Sequence, residues 1–594
     1  MEGKGIKEKE VKGMDMQKSE YLKLYQTDLL FQKFRNRKLY PQQLKILRFL
    51  NNSKCKVSII CAPCGSGKSL AGMLYGAALY GAAMKDNKNK DKDNKNTASG
   101  HKLHFNYICN GIQLQSQLQS DFPTASVMKG RANFECNYMP SLTAEDCVYE
   151  TCPPQKKEMC EYKKHKITAL LNPVRILNYA YILNEVNYIG QFSADTPLWI
   201  CDEADILDQT LQNMIELRFS INMIKAIGKG IPKFKTPNAK NGQGLKLWKQ
   251  WAGEVREAVK IELFELLKQL SNIDKKQTSQ LERLAELNNS IKRTKRMLER
   301  INIFLNHVSE DWIFEEQKNS YGRVKAYSWK PLWMPEVFAE QYLWRHAEKF
   351  VLMSATFPPR QIVAKTMGIK IEDIDYLEIK SDFPVKNRPV IIADNPVDMR
   401  FKQIENNIQE NKENLLKTID RILTYHKGQR GIIHTHSWKI NGWVMKNRGV
   451  FKKRTGHVLI SHKPEKDDKE KMQTRDIITK KFIEKQVNGL VFVSPSSGRG
   501  LDLPDDLARF AIICKAPFLN LKDKQVSQRL HRSDIGKLWY KISMILESVQ
   551  MMGRIVRNRT DWGKVYIIDL ALIDSIAKDR KYWPEYILEA VEVE

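Results

Sequence analysis

At 594 residues and 42% hydrophobic content, the chain is long enough for roughly two to four domains with real cores, which excludes an intrinsically disordered protein. Lys and Arg number 97 against 69 Asp and Glu, and the formal charge of +28 attracts polyanions, because each neutralised phosphate releases condensed counterions. A Lys- and Asn-rich sequence from an AT-rich genome would carry the same surplus, so charge alone leaves nucleic acid open. Met1–Gln26 is charged and lacks a signal-peptide core, and the longest apolar run, Leu70–Met84, is too short to span a bilayer. No membrane association is expected. An intracellular, reducing compartment is: cytoplasm or nucleoid in a prokaryotic or phage setting, nucleus in a eukaryote. The ten cysteines are then thiols or metal ligands rather than a disulfide framework.

Along the chain, short apolar runs alternate with helical patterns: Val57–Cys61, Leu198–Cys201, Phe350–Met353, Gly431–Thr435, Leu490–Val493, Phe510–Cys514 and Val565–Ile568. Continuous apolar strands bounded by helices predict an α/β chain with two parallel sheets, each covered on both faces. Lys85–Asn96 has no apolar residue and reads as a disordered surface loop, taken as 85–100. Further on, Leu284, Leu287, Ile291, Leu298, Ile301, Leu305 and Val308 form a helical seam with Thr294 its polar member. An earlier helix, Trp248–Leu270, carries Val255, Val259, Leu263, Leu266 and Leu270 at helical spacing. The polar stretch Ser271–Ser279 suits the turn of an antiparallel hairpin, and a dimerising coiled coil competes with it.

Ala62-Pro63-Cys64-Gly65-Ser66-Gly67-Lys68-Ser69 is a phosphate loop following an apolar strand and opening a helix. Gly65 and Gly67 let backbone N–H groups close around phosphate oxygens beside Ser66, and the helix N-terminus adds its dipole. Lys68 is placed to neutralise the β- and γ-phosphates of ATP, and the Ser69 hydroxyl to ligate Mg²⁺. Leu198–Cys201 ends in Asp202-Glu203-Ala204-Asp205, two adjacent carboxylates at the C-terminal edge of a parallel sheet, where α/β proteins put their ligands. Asp202 suits Mg²⁺, and Glu203 suits activation of the attacking water.

That Asp-Glu-Ala-Asp resembles motif II of superfamily-two helicases, and further matches follow in order. Ser354-Ala355-Thr356 resembles the motif that couples hydrolysis to domain movement, and Gln550-Met551-Met552-Gly553-Arg554-Ile555-Val556-Arg557 resembles QxxGRxxR. The resemblance gives Gln550, Arg554 and Arg557 places facing the γ-phosphate, where an arginine is worth roughly 10³–10⁵ in rate. Tyr40-Pro41-Gln42-Gln43 resembles the segment before motif I, with Gln43 reading adenine. Leu114–Leu118 with Asp121-Phe122-Pro123, Val127–Cys136 and Asn178-Tyr179-Ala180-Tyr181 resemble segments of DinG/XPD-type DNA helicases. Gly431–Thr435 is similar to motif IV. Ser494–Ser496 through Leu501–Asp506 is similar to motif V, in which Gly500 and Asp502 match, whereas Gly498-Arg499 replaces the usual Ser/Thr-Glu and turns a negative charge positive.

Cys136, Cys147, Cys152 and Cys160 cluster with Pro153-Pro154 among them, while the other six cysteines lie mainly on apolar strands or in the phosphate loop. Four clustered thiols suggest soft-metal ligation, and their spacing leaves zinc and [4Fe–4S] both open. Placement between motifs I and II, where the resembled family carries its cluster, implies [4Fe–4S]. Lys156, Lys157, Lys163, Lys164 and Lys166, with Tyr149 and Tyr162, flank it and suit phosphate and base contacts as well as a solvated basic loop.

The expected organisation is a tail at 1–26, and a first RecA-like domain of 27–130, 165–210 and 320–384. An iron–sulfur insert follows at 131–164, a helical arch at 211–319, and a second RecA-like domain at 385–594. The resemblance implies ATP hydrolysis in a cleft of paired lobes, 5′→3′ translocation on single-stranded DNA and unwinding of forked or duplex DNA, by a monomer with single-strand-binding protein as a further partner. An RNA-dependent DEAD-type ATPase and a translocase that displaces bound proteins without unwinding are the alternatives.

Overall fold

The structure, a computed structural model, describes residues 21–93, 104–139, 142–147, 152, 154–190, 192, 196–226, 244–273, 280–319, 322–405, 409–462, 468–485, 487–495 and 503–594. The chain divides into two compact units. The first runs through Ile60, then over Lys68–Ser354 and Pro359–Leu377; the second comprises Cys61–Gly67, Ala355–Pro358 and Glu378–Glu594.

The first unit contains β1 (Val57–Cys61), β2 (Phe105–Cys109), β3 (Ser126–Met128), β4 (Val174–Asn178), β5 (Leu198–Asp202), β6 (Leu217–Ser220), β7 (Trp312–Lys318), β8 (Val324–Pro331), β9 (Lys349–Ser354) and β10 (Ile374–Glu378). Seven of them form one sheet in the order β10-β1-β9-β5-β2-β4-β3. The pairings β2–β4, β2–β5, β3–β4 and β5–β9 are parallel. Every residue of β1, β2 and β5 is buried, as helix cover on both faces requires. Trp199 packs edge-on to Phe350 at 5.4 Å in the middle of this sheet.

Helices α1 (Pro41–Asn52) and α2 (Lys68–Asp93) flank β1 in sequence. Helix α2 overturns part of the loop expected at 85–100: residues 85–93 continue the helix begun by the Ala- and Leu-rich run, and 94–100 lie outside the described residues. Extending a formed helix adds one hydrogen bond per residue fixed, and Lys is a good helix former, so polarity alone did not end it. The tail is likewise shorter than 1–26. Residues 21–27 are helical, Tyr21 and Tyr25 are buried, and the Tyr21 hydroxyl donates to Asn51 Oδ1 at 2.8 Å.

Helix α3 (Glu161–Leu171) crosses the expected end of the cysteine insert, and α4 (Leu207–Ile215) follows the acidic strand end. Helices α5 (Gly244–Ser271) and α6 (Leu281–His307) pack against each other, which places the hairpin within one chain. Val255, Val259, Leu284, Ile291 and Ile301 are buried there, while Leu263, Leu287, Leu298 and Leu305 are half-buried and Met297 and Phe304 share the seam. The arch is not wholly helical. Strands β6, β8 and β7 form a separate antiparallel sheet beside these helices, with β8 running past 319 to Pro331. An aromatic core holds that sheet: Trp329 lies 5.3 Å from Trp251, 5.0 Å from Phe314 and 5.8 Å from Phe304.

The second unit is built on β11 (Val390–Val397), β12 (Gly431–His434), β13 (Val458–Ile460), β14 (Leu490–Ser494), β15 (Phe510–Ile513), β16 (Lys564–Asp569) and β17 (Val591–Val593), in the order β13-β14-β12-β15-β16-β11-β17 and parallel throughout. Alternate residues serve opposite faces. Ile432, Phe492, Ile513 and Ile567 pack in one core, and Ile433, Val493, Ile512 and Ile568 in the other. Helices α7 (Gln409–Tyr425), α8 (Trp438–Lys446) and α9 (Arg448–Thr455) precede α10 (Asp534–Met552) in sequence. The expected pair of RecA-like parallel sheets is present. No helix among the described residues is long and apolar enough to cross a membrane.

Candidate nucleotide site

The phosphate loop leaves β1 and turns into α2. Gly65 and Gly67 have φ of +76° and +74°, the left-handed region that a Cβ disfavours. At Gly65 a Cβ would also lie 2.5 Å from the Arg557 carbonyl oxygen and 2.6 Å from the Phe383 ring, both in the second unit with it. Ser66 is buried and closes the loop on itself, its hydroxyl donating to the Pro63 carbonyl at 2.7 Å. Lys68, the first residue of α2, is half-buried.

In the first unit, the end of β5 meets the start of α2. The Ser69 hydroxyl donates to Asp202 Oδ2 at 2.9 Å, and the Tyr107 hydroxyl donates to the same oxygen at 2.6 Å. Oδ1 accepts the Glu203 N–H at 3.0 Å, and Tyr179 donates to the Asp202 carbonyl at 2.8 Å. Burial, with the Asp202 carboxylate beside it, pushes the Tyr107 phenol well above its ordinary pKa, so it stays a donor. Glu203 sits at φ +52°, a conformation costing a non-glycine residue roughly 1–3 kcal/mol. Ser354, at the end of the neighbouring β9, donates to Asp205 Oδ1 at 2.8 Å.

In the second unit, Gln550 Nε2 donates to Thr356 Oγ1 at 2.8 Å. Arg554 is buried, and the Arg557 N–H donates to Asp561 Oδ2 at 2.9 Å. His434, at the end of β12, is fully buried; burial and the nearby Arg554 cation hold its pKa down at about 3.

A second feature of the first unit is a cavity of about 500 Å³ at the strand ends. Asn110, Asn178, Asn184 and Asn213 offer it amides, and α6 contributes Arg296 and Arg300. The cysteine insert docks on the same helix. Asn289 Nδ2 donates to Asp146 Oδ1 at 2.8 Å, and Lys292 Nζ to the Glu145 carbonyl at 2.8 Å.

Comparison with known proteins then places this arrangement. Residues 431–583 match the family described as the helicase C-terminal domain. The chain is similar to the ATP-dependent DNA helicase DinG of Photobacterium profundum, 24% identical over 251 residues that make up 40% of this chain and 33% of that protein. It is also similar to the Fanconi anemia group J protein homolog of Gallus gallus, 32% identical over 94 residues, 14% of this chain and 8% of that one. The chain resembles DinG- and XPD-type helicases. Among solved structures, an XPD helicase superposes with a TM-score of 0.56 at 17% identity, covering 94% of this chain and 100% of that one. The Xpd4 structure of S. tokodaii gives 0.51 at 11%, covering 93% and 99%. At such identities the likeness is one of fold. The matched stretches span a third or less of the curated relatives' lengths.

Within this DinG/XPD-like frame, Ser69, Asp202 and Glu203 come together in the first unit, and Gly65, Gln550 and Arg557 fall in the second. Gln43 lies in the first turn of α1, buried, with Oε1 accepting the Tyr40 N–H at 2.7 Å, so that oxygen caps a helix. Gly500 and Asp502 lie outside the described residues, as do Gly498, Arg499 and Tyr149. Lys166 belongs to the fold rather than to the basic fringe: it pairs with the buried Glu185 at 2.7 Å. Tyr107 is a further site residue: on the fully buried β2 its hydroxyl needs a partner, and that is the signal available in the sequence. Tyr179, read in the sequence only within the Asn-Tyr-Ala-Tyr segment, opens the short helix that follows β4.

Two metal sets were expected. The Ser69 hydroxyl and Asp202 carboxylate are hard oxygen donors already in contact, which fits Mg²⁺. Cys136, Cys147, Cys152 and Cys160 are half-buried free thiols in one neighbourhood, where burial raises the Cys147 pKa, the Arg131 cation opposes the rise and the other three thiols add to it. The donor set is right for a soft metal or cluster. Yet among the described residues no three His, Cys, Asp or Glu side chains converge as a metal-holding group, so the ligating geometry of the expected centre is not formed.

Proposed function

We propose that the chain is an ATP-dependent DNA helicase that translocates on single-stranded DNA, 5′→3′, and separates duplex strands. The observation that carries the reading is the Ser69–Asp202 hydrogen bond, which joins a phosphate loop to an acidic strand end in the pairing that an NTP–Mg²⁺ site requires. Lys68 neutralises the β- and γ-phosphates, Ser69 and Asp202 hold Mg²⁺, and Glu203 orients and deprotonates the attacking water. Arg554 and Arg557 supply positive charge to the phosphoryl group in flight, and Gln550 works beside them. Single-stranded DNA follows the cavity under the arch, with Arg296 and Arg300 against phosphate and amides against base edges. Similarity to DinG, whose name states an ATP-dependent DNA helicase, favours DNA over RNA.

Cys136, Cys147, Cys152 and Cys160 are the residues that would hold a [4Fe–4S] cluster. When bound it would cross-link the insert and offer a one-electron couple.

The test is ATP hydrolysis with and without single-stranded DNA, for the wild type and for Lys68→Ala, beside strand separation on duplexes carrying a 5′ or a 3′ tail. DNA-stimulated turnover lost in Lys68→Ala, with separation only from the 5′ tail, is the expected result. Stimulation by RNA beyond that by DNA would assign an RNA-dependent ATPase. DNA-stimulated turnover with no strand separation would assign a translocase.

A further inference from the structure

The second unit has a groove of about 660 Å³ between α7 and α9, lined by apolar Leu416, Val450 and Phe451 and by the cations Lys417, Arg421 and Arg454. Tyr425, at one end, accepts a hydrogen bond from Lys564, the first residue of β16, at 2.7 Å. That contact sets the groove toward the N-terminal strand ends, whereas His434 and Ser494 stand at the C-terminal ends of β12 and β14. The groove is therefore away from the edge to which ligands of this fold bind.

We propose that this groove docks an acidic peptide segment bearing apolar side chains at alternate positions, an inference independent of the helicase reading.

Charge supplies the first argument. Residues 446–454 contain five cations and no acid, and Lys446, Arg448, Lys452 and Lys453 are all exposed. Of the cations in this stretch, Arg454 alone forms an ion pair among the described residues, with Asp420 at 3.0 Å. The surplus calls for an anionic partner.

Exposed apolar surface supplies the second: Val450 is 52% exposed and Tyr425 67%, which a sugar–phosphate backbone does not use. Asp420 supplies the third. Only 9% exposed, it has an Oδ1 without a hydrogen-bond partner among the described residues, and it helps line the groove. A buried acceptor left open calls for a donor. A peptide N–H provides one; a phosphate chain would bring only more negative charge.

Arg421 is already engaged by an acidic residue beside the sheet: Val591-Glu592-Val593-Glu594, which includes β17, alternates apolar and acidic side chains, and Glu594 pairs with Arg421 at 2.7 Å. Arg421 also holds Asp394 at 2.8 Å, so the carboxylates of the incoming segment fall to Lys417 and the α9 cations.

The experiment is fluorescence anisotropy with a labelled peptide of about ten residues alternating aspartate and leucine, a period suited to an extended strand. Saturable binding is expected, weakened at least about tenfold by Lys417→Glu, by Val450→Asp, and by serine in place of the leucines. Both positions are exposed or half-exposed and outside the nucleotide site, so basal ATP hydrolysis serves as the fold control and stays unchanged. Absence of saturable binding by the wild type would overturn the proposal. So would undiminished binding in both variants, or serine and leucine peptides binding alike. A duplex DNA that competes fully with the peptide and loses affinity in Lys417→Glu but not in Val450→Asp would also overturn it, assigning the groove to phosphate.

Discussion

Ser354 donates its hydroxyl hydrogen to Asp205 Oδ1 at 2.8 Å, linking the ends of two adjacent strands, β9 and β5. Asp205 stands three positions beyond Asp202, and Thr356, two beyond Ser354, accepts a hydrogen bond from Gln550. On the helicase reading proposed above, this Ser-Ala-Thr segment is the one that couples hydrolysis to strand separation. Ser354→Ala removes a hydrogen bond to a carboxylate, an interaction worth about 1.5–3 kcal/mol. The expected outcome is ATP turnover within about threefold of the wild type and strand separation reduced roughly tenfold or more, read by parallel ATPase and fork-unwinding assays. Equal losses in both would make Ser354 part of the hydrolytic step instead.

Lys68 and Gly65 fail in different ways. Lys68→Ala removes a charge from the phosphates and is expected to lower turnover at least about a hundredfold while leaving single-stranded DNA binding largely intact. Gly65→Ala meets φ +76° and a carbonyl oxygen 2.5 Å from the new Cβ, so the loop itself must shift. Nucleotide binding is expected to weaken there along with turnover. Nucleotide affinity measured by titration separates the two, since only the glycine variant changes the cradle.

How much of this was legible beforehand follows from where each signal sits. The strands that bear Asp202, Ser354 and His434 are unbroken apolar runs, and they form as read because a strand buried on both faces has no other composition. Tyr107 escaped notice because its meaning lies in Asp202, 95 positions away. Strands β6–β8 escaped because half their residues face outward, so WIFEEQK shows a run of polar residues where a continuous apolar one was sought. Lys166 and Glu185 show the same limit: nothing local marks one lysine among five as half of a buried ion pair.

Three buried histidines predict how stability depends on pH. Burial holds His346 and His426 down to about 4 and His434 to about 3, so each stays neutral in the folded chain where the unfolded chain would protonate it. His346 stacks on Trp199, and His426 hydrogen-bonds Gln429 and the Tyr566 hydroxyl. Below the unfolded value near 6.5 the unfolded state binds more protons, so stability falls as pH falls, by about 1.4 kcal/mol per unit for each histidine. The loss continues until pH reaches the folded values. Melting temperature should therefore drop steadily from pH 7 to pH 5, and more gently in His346→Gln. A flat profile across that window would mean that these rings take up protons as readily in the folded chain as in the unfolded one.

The cysteine segment offers the last test, because helix α6, on which it docks, also lines the cavity. Asn289 and Lys292 of α6 reach Asp146 and the Glu145 carbonyl, so the insert is held by a few polar contacts across one helix face. Lys292→Met removes a charged donor that also reaches the Cys147 carbonyl at 3.5 Å, a loss of about 1–3 kcal/mol, and frees the insert while leaving every thiol in place. Protease cleavage within 131–164 is expected to accelerate, and stimulation of ATP hydrolysis by single-stranded DNA to fall several-fold, while hydrolysis without DNA persists. Protein purified without oxygen is expected to be coloured, with about four irons and four sulfides per chain, and Cys147→Ala to lose both. In Lys292→Met the metal should remain, since all four thiols are intact. If stimulation falls while iron is retained, docking on the arch and not the cluster alone serves the DNA path. A colourless protein with stoichiometric zinc would leave the docking argument standing and remove the cluster.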